Sequence, residues 1–440
     1  MARRNRRRTP PPPFEARIEK LSHEGRGICH HNGKIVFVFG ALPGEKVSVR
    51  IDRNRKQLAE GHAAEVIEAS PLRIEPRCAH FGVCGGCSLQ HLESDAQIDF
   101  KQRALAEMMA HAGIEAGRWM EPLRAESWGY RRKARLGVKH VPGKGRVLVG
   151  FRERSSPFLA DMHGCPVLDP RVGERLDELS ALIGAMDAKD RIAQIEVACD
   201  DTHCALAFRH LDPLSEADRQ RLIDFAGHSG LWVQTQSAGP DSIRPLYPEE
   251  QTLSFRPLAD DDLEIDFGVS DFTQVNAGIN QKMVAQALDR LQLEPEHRVL
   301  DLFCGLGNFT LPMARRCASV TGIEGDQPMV ERARANARRQ GIDNTEYRAV
   351  DLTRVDGSEP WLRGRYDRIL LDPPRSGARE VIPHLHRLGA ERIVYVSCQP
   401  SSLVRDAQLL IEAGYRLEEL GVMDMFPQTA HVESMAVFVR

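Results

Sequence analysis

In IVYVSCQPSSLVRD, Cys398 follows the apolar run Arg392–Ser397 and precedes a stretch with helical spacing. A cysteine between a strand end and a helix start is a candidate nucleophile, because a helix N-terminus favours the thiolate, the reactive form. A small buried cysteine is also a common core residue, so position alone leaves both readings open. A second set of thiols is local: Cys78, Cys84 and Cys87 in RCAHFGVCGGCSLQHL, spaced Cys-x5-Cys-x2-Cys. The chain has ten cysteines, and no apolar stretch follows its basic start as a secretory signal would require. A cytoplasmic location is therefore expected, structural disulfides are not, and the cluster points to a metal. A four-thiolate site suits tetrahedral zinc or an iron–sulfur cluster, and spacing does not separate them.

A third feature is VLDLFCGLGNFTLPMA, an apolar strand, an acid, then Gly305 and Gly307 leading into a helix. Glycines let the backbone approach a ligand, and a helix start offers unpaired N–H groups. The next run ends in Glu324, where a carboxylate can accept both hydroxyls of a ribose, and a third ends in Asp351, near where an adenine would lie. Three acid-ended strands in this order point to a class I S-adenosylmethionine fold. The G-x-G-x-x-G spacing of a dinucleotide fold is absent.

The elements that must position these residues alternate. From about residue 270, strand-like runs at Arg298–Phe303, Ser319–Glu324, Asp367–Asp372, Arg392–Ser397 and Ala436–Val439 flank helix-like stretches at Gln327–Gln340 and Ser401–Ala413. That pattern predicts an α/β, mostly parallel, doubly wound (Rossmann-like) sheet with ligands beyond the strands' carboxyl ends. The start differs. Residues 1–13 combine arginine with a proline run and are expected to be a disordered basic tail. Runs at Phe14–Leu21, Gly33–Phe39, Glu45–Ile51 and Leu58–Glu68 predict a small OB-like barrel over 14–69. Residues 70–265 read as a central α+β domain that opens with the cysteine cluster and an amphipathic helix, Ala96–Ala112, and 266–440 as the catalytic domain. Within the central domain Arg146–Phe151 and Ala205–Phe208 read as strands. Residues 1–160 hold 29 Lys and Arg against 17 Asp and Glu, a net of +12, whereas the remainder has 30 against 45, a net of −15. A basic first part facing a polyanion and an acidic second part doing chemistry is the division this suggests. No apolar run reaches the roughly 20 residues of a membrane span.

Five segments resemble the RNA uracil-C5 methyltransferase family: FTQVN at 272–276, LDLFCGLGNF at 300–309, LLDPPRSG at 370–377, VYVSCQPSSLVRD at 394–406 and FPQTAHVE at 426–433. The segment SHEGRGICHHNGKIVFVFGALPGEKVSV resembles the TRAM domain, an RNA-binding module. With the cysteine cluster, the chain is most similar to the branch that modifies 23S ribosomal RNA. The resemblance implies S-adenosylmethionine as methyl donor, Cys398 as nucleophile and Glu433 as proton-abstracting base. It implies Gln274, Phe303, Asn308, Glu324, Asp351 and Asp372 as cofactor-contacting positions, with Asp372 equally able to read the uracil edge, and Phe272 as a stacking residue. It also implies a [4Fe-4S] cluster on Cys78, Cys84, Cys87 and the distant Cys165 in MHGCPVLDP. A monomer working on ribosomal RNA away from membranes is expected.

The chemistry agrees with that resemblance. Uracil C5 is too weak a nucleophile until a thiolate adds at C6, and a base must then take the C5 proton. A cytosine-C5 enzyme would place its cysteine beside Asp372-Pro373-Pro374, where none stands. An amino-group methyltransferase leaves Cys398 and Glu433 unexplained. A transfer-RNA substrate, or a non-catalytic iron–sulfur adaptor, is the remaining alternative.

Overall fold

The computed structural model describes residues 12–440; most of the expected basic tail lies outside the described residues. Packing divides them into two units. The first holds residues up to Phe100 with Arg152–Pro157 and Gln428–Ala430, and the second holds the rest.

In the first unit, β1 (Phe14–Arg17), β2 (Lys20–Leu21), β3 (Gly27–His31), β4 (Lys34–Phe39), β5 (Lys46–Asn54) and β6 (Leu58–Glu68) form one sheet in the order β1-β5-β6-β4-β3-β2. The expected single run Phe14–Leu21 is bent between β1 and β2. Ile18 N–H bonds Glu45 O at 2.9 Å while Glu19 N–H bonds Ile28 O at 2.9 Å, so the bent strand joins both edges and closes the barrel. Alternate residues Val36 and Val38, and Val47 and Val49, point into its core. Arg50, Arg53, Arg55 and Lys56 remain exposed around the β5–β6 turn. Helix α1 (Ser94–His111) follows, with Ile98, Leu105 and Met109 buried as its periodicity predicts.

In the second unit, after the short β7 (Arg118–Trp119), comes a six-stranded sheet. It comprises β8 (Lys133–Val141), β9 (Arg146–Gly150), β10 (Ile192–Cys199), β11 (Cys204–His210), β12 (Trp232–Gln236) and β13 (Ile243–Tyr247), with helices α2 (Pro170–Gly173), α3 (Leu176–Gly184) and α4 (Glu216–Ser229). A disulfide joins Cys199 and Cys204, which face each other in the β10–β11 register. This overturns the expectation of no disulfide: hairpin pairing brings together two thiols that look scattered in the sequence.

The hairpin-like pair β14 (Leu253–Phe255) and β15 (Ile265–Phe267) leads to α5 (Ala277–Leu291) and the main sheet. Its strands are β16 (Arg298–Leu302), β17 (Ser319–Glu324), β18 (Thr345–Ala349), β19 (Arg368–Leu371), β20 (Arg392–Ser397), β21 (Arg416–Met423) and β22 (Glu433–Val439). Helices α6 (Thr310–Ala314), α7 (Gln327–Arg339), α8 (Ile382–Leu385) and α9 (Pro400–Glu412) connect them. The order is β18-β17-β16-β19-β20-β22-β21-β7, parallel from β18 to β20 and antiparallel at β22. β19 and β22 are buried along their whole length, as strands covered on both faces must be. The chain runs outward through β17 and β18, then returns to β19 on the other side of β16. The crevice at that reversal is where ligands bind in such sheets.

Candidate functional site

The loop after β16 supplies one wall. Gly305 and Gly307 take φ of 54° and 95°, and a Cβ on Gly307 would stand 3.1 Å from Leu311 Cγ and 3.2 Å from the Tyr347 hydroxyl. Phe303 itself has φ of 65°, a conformation that costs a non-glycine residue about 1 kcal/mol or more. Glu324, ending β17, accepts from Gly305 N at 3.1 Å and Gly325 N at 2.6 Å, which ties strand end to glycine loop. Asn308 exchanges hydrogen bonds of 2.9 and 3.0 Å with Asn280 on α5. Gln274 Nε2 reaches Asp372 Oδ2 at 3.5 Å, so two expected cofactor positions from distant segments meet. Asp351 is exposed and engaged locally, accepting from Thr353 N and Oγ1 at 3.0 and 2.6 Å. Phe272 is 68% exposed and free to stack.

Beneath this wall lies Asp301, the acid of the LDLFCGLG segment. Asp301 is fully buried; Thr310 Oγ1 donates to its Oδ2, while its Oδ1 has no partner. Burial first, then Asp372 and Glu324, pushes its carboxyl up to about 8. Burial alone pushes Asp372 to about 7. A ligand bearing hydroxyls and positive charge suits these acceptors, as S-adenosylmethionine does, and the glycine approach leaves backbone room for it.

The second wall follows from register. Ser397, the last residue of β20, pairs with Ser434 of β22, and β22 runs antiparallel. One residue beyond that last pair lie Cys398, just past the end of β20, and Glu433, the first residue of β22. Antiparallel partners stand about 4.5–5.5 Å apart at Cα. Residues 35 positions apart in the chain become neighbours at the sheet's carboxyl edge. Glu433 is 3% exposed. Burial and then Asp372 push its carboxyl well above the usual range, while Arg375 and Lys101 oppose that shift. The Cys398 thiol is pushed up to about 11 by burial, then by Glu433 and Asp372, with Arg375 acting the other way. Burial first, then the neighbouring Glu433 and Asp372, therefore work against the thiolate that the α9 N-terminus would favour.

Asp406 on α9 locks the two walls together. Its fully buried Oδ2 accepts from Ala378 N and the Tyr395 hydroxyl, both at 2.6 Å. Arg405 adds a bond to Ser376 O at 2.7 Å, so the Asp372–Gly377 loop is held against the strand and helix that flank Cys398. Asp406 lies inside the SCQPSSLVRD motif, and its bracing role becomes legible only once α9 is folded.

The cysteine cluster occupies the loop between β6 and α1. Phe81 N bonds Cys78 O at 3.0 Å, Cys84 N bonds His80 O at 2.9 Å, and Gly86 N–H points at Cys84 Sγ from 3.4 Å. A backbone donor aimed at sulfur favours a thiolate ligand, but among the described residues no three of Cys78, Cys84, Cys87 and Cys165 bring their sulfurs within 4.8 Å of one another. Cys165 belongs to the second unit, its N–H bonded to Gly173 O at 2.8 Å. Asp169 gathers with Cys199 and Cys204 within 4.8 Å, but those sulfurs are joined and Arg171 takes both Asp169 oxygens at 2.8 and 2.7 Å. That trio is no metal site. Among the described residues, no helix is long and apolar enough to cross a membrane.

Comparison with known proteins adds an independent line. The family described as tRNA (Uracil-5-)-methyltransferase matches residues 250–440, and the TRAM domain matches 14–64. A curated relative from Alkalilimnicola ehrlichii, named 23S rRNA (uracil(1939)-C(5))-methyltransferase RlmD, is 55% identical over 99% of both chains. A relative of the same name from Alcanivorax borkumensis is 50% identical over 100% of this chain and 99% of its own. Among solved structures, Pyrococcus abyssi tRNA (uracil-54, C5)-methyltransferase in complex with S-adenosyl-L-homocysteine has a TM-score of 0.73 at 24% identity. It covers 97% of this chain and 100% of its own, a likeness of fold.

Proposed function

The chain belongs to the RNA uracil-C5 methyltransferase family, and we propose that it methylates carbon 5 of a uridine in 23S ribosomal RNA through a covalent adduct on Cys398. The register pairing that sets Cys398 beside Glu433 is the observation that carries the mechanism. S-adenosylmethionine, when bound, supplies an electrophilic methyl group on a sulfonium; Gln274, Phe303, Asn308, Glu324, Asp351 and Asp372 are the positions to hold it.

Cys398 sulfur adds to uracil C6, and the C5=C6 electrons shift onto C5 and the adjacent carbonyl. C5 thereby becomes the carbon that takes the methyl group. Glu433 then removes the C5 proton, the C5=C6 bond re-forms and the C6–S bond breaks, expelling the Cys398 thiolate, which regains from solvent the proton it gave up before adding to C6. Phe272 offers its exposed face to the flipped base. The barrel and the TRAM-like segment hold the RNA backbone. Cys78, Cys84 and Cys87, with Cys165 as the distant fourth position that the resemblance implies, would hold a [4Fe-4S] cluster in a structural role, since no step above moves an electron in or out.

RNA carrying 5-fluorouridine tests this reading, because fluorine cannot leave as a cation and the methylated adduct persists. Wild type is expected to remain attached to such RNA after denaturation, and Cys398→Ala is not. With ordinary RNA, Glu433→Gln is expected to accumulate the adduct and release it slowly. Turnover by Cys398→Ala would end the covalent mechanism.

A further inference from the structure

Helix α1 carries a lysine on its apolar face. Lys101 stands three residues after Ile98 and four before Leu105, the spacing of one buried stripe, and it is fully buried. Its ammonium bonds Asp424 Oδ1 at 2.6 Å and Phe426 O at 3.0 Å. Asp424 follows Met423, the residue that pairs with Glu433 across β21 and β22. Lys101 therefore grips the neck of the β21–β22 connection one step from the base. The Tyr130 hydroxyl holds the same connection at Pro427 O, 3.0 Å away.

A buried cation is costly to keep, and Asp424 offsets only part of that cost. Were bracing the only task, an apolar residue would pack the neck as well. The charge has a second target. The charged and titratable groups that act with Glu433 are Asp372 and Arg375 from the loop after β19, Cys398 after β20 and Lys101 from α1. Of the two cations acting on it, Arg375 is exposed and Lys101 is buried.

We propose that Lys101 is a positioning residue for proton abstraction: gripped by Asp424 and the Phe426 carbonyl, its buried ammonium supports the charged carboxylate of Glu433 when the C5 proton must be removed. In that step the C5–H pair re-forms C5=C6, the C6–S bond breaks, and the proton passes to Glu433. Burial and Asp372 hold Glu433 toward its neutral form; Arg375 opposes them first and the Lys101 ammonium second. Burial pulls Lys101 toward its own neutral form, Asp424 opposes that pull, and solvent screens the buried ammonium less than the exposed Arg375.

The inference rests on the covalent reading above, and two substrates separate them. Trapping by 5-fluorouridine RNA needs nucleophile and methyl transfer but no proton removal, whereas turnover of ordinary RNA needs all three. Lys101→Met is expected to trap at a rate within about threefold of wild type and to release ordinary product about tenfold more slowly at neutral pH. The midpoint of its release-versus-pH profile should move up by about one unit. Lys101→Arg should restore most of the release rate. Should Lys101→Met fold poorly, Lys101→Met with Asp424→Leu removes both buried charges and recovers packing; release should stay slow. An unmoved profile, or release recovered in the double variant, would overturn the proposal and leave Lys101 a packing residue. Absence of trapping by wild type would instead overturn the covalent reading itself.

Discussion

Replacing Asp301 by Asn is expected to stabilise the protein, increasingly so as pH rises. The carboxyl is fully buried, one oxygen accepts from Thr310, the other has no partner, and it titrates at about 8 in the folded chain against 3.8 as a free side chain. Its folded-state value is raised, so its contribution to stability is complete below about pH 4 and is lost as pH climbs toward 8. The loss runs at ~1.4 kcal/mol per pH unit, reaching roughly 2 kcal/mol at pH 5 and roughly 4 at pH 7. An asparagine amide cannot ionise, and its oxygen can still accept from Thr310, so the variant avoids that loss. Glu433 is carried by both proteins and its effect cancels, whereas the charge repulsion between Asp301 and Asp372 is relieved only in the variant and widens the gap in the same direction. Paired melting curves at pH 5, 6, 7 and 8 should show a gap in favour of Asp301→Asn that widens at each step. A gap that is constant or narrows with pH would refute the burial argument. Cofactor affinity, measured alongside, should fall if the unpartnered oxygen receives a ligand donor.

Alkylation of Cys398 by iodoacetamide, followed by mass spectrometry from pH 6 to 10, should rise about tenfold per pH unit without a plateau, since the thiol titrates at about 11. Saturation below pH 8 would restore the helix-activated thiolate. Cys84→Ser should lose the iron that anaerobically purified wild type holds, near four atoms per chain for the expected cluster; stoichiometric zinc without iron would remove the cluster assignment. Replacing the exposed Arg50, Arg53, Arg55 and Lys56 by Ala should weaken RNA binding and flatten its salt dependence, by roughly 0.7 in log–log slope for each single-strand phosphate no longer neutralised. Equal slopes would move the RNA-holding surface elsewhere.

The strands were legible where the sequence writes apolar runs: Ser319–Glu324 and Arg392–Ser397 fall at the read boundaries, and Ala436–Val439 only extends back to Glu433. β21 was not legible, because Arg416, Glu418 and Glu419 interrupt its alternation, and a register irregularity separates Leu417 from Glu419. The resemblance points to Cys398 and Glu433, but their adjacency needs the β20–β22 pairing. The resting state of Cys398 escaped the sequence for the same reason, since the charges that govern it come from β22 and from the loop after β19. Lys101 did leave a trace, a cation at an apolar-stripe position of a helix whose stripe was read. The Cys199–Cys204 bond left none, because the pairing that joins them is a property of the hairpin.

The antiparallel strand is the element the chemistry cannot do without. In a sheet that stayed parallel past β20, the next strand would begin at the amino edge, a strand's length from the crevice where the glycine loop and Asp372 converge. A base at its first residue would then face away from the substrate. By reversing direction, β22 brings its first residue to the carboxyl edge, and the Ser397–Ser434 pairing sets that residue beside the one after β20. Nucleophile and base thus sit on separate connections, one opening α9 and one closing the β21–β22 turn, each one residue beyond the paired Ser397 and Ser434. That division lets each be tuned separately: Asp406 braces the loops around Cys398 through α9, and Lys101 braces the neck behind Glu433 through Asp424. A change in either brace should alter one half of the reaction before the other.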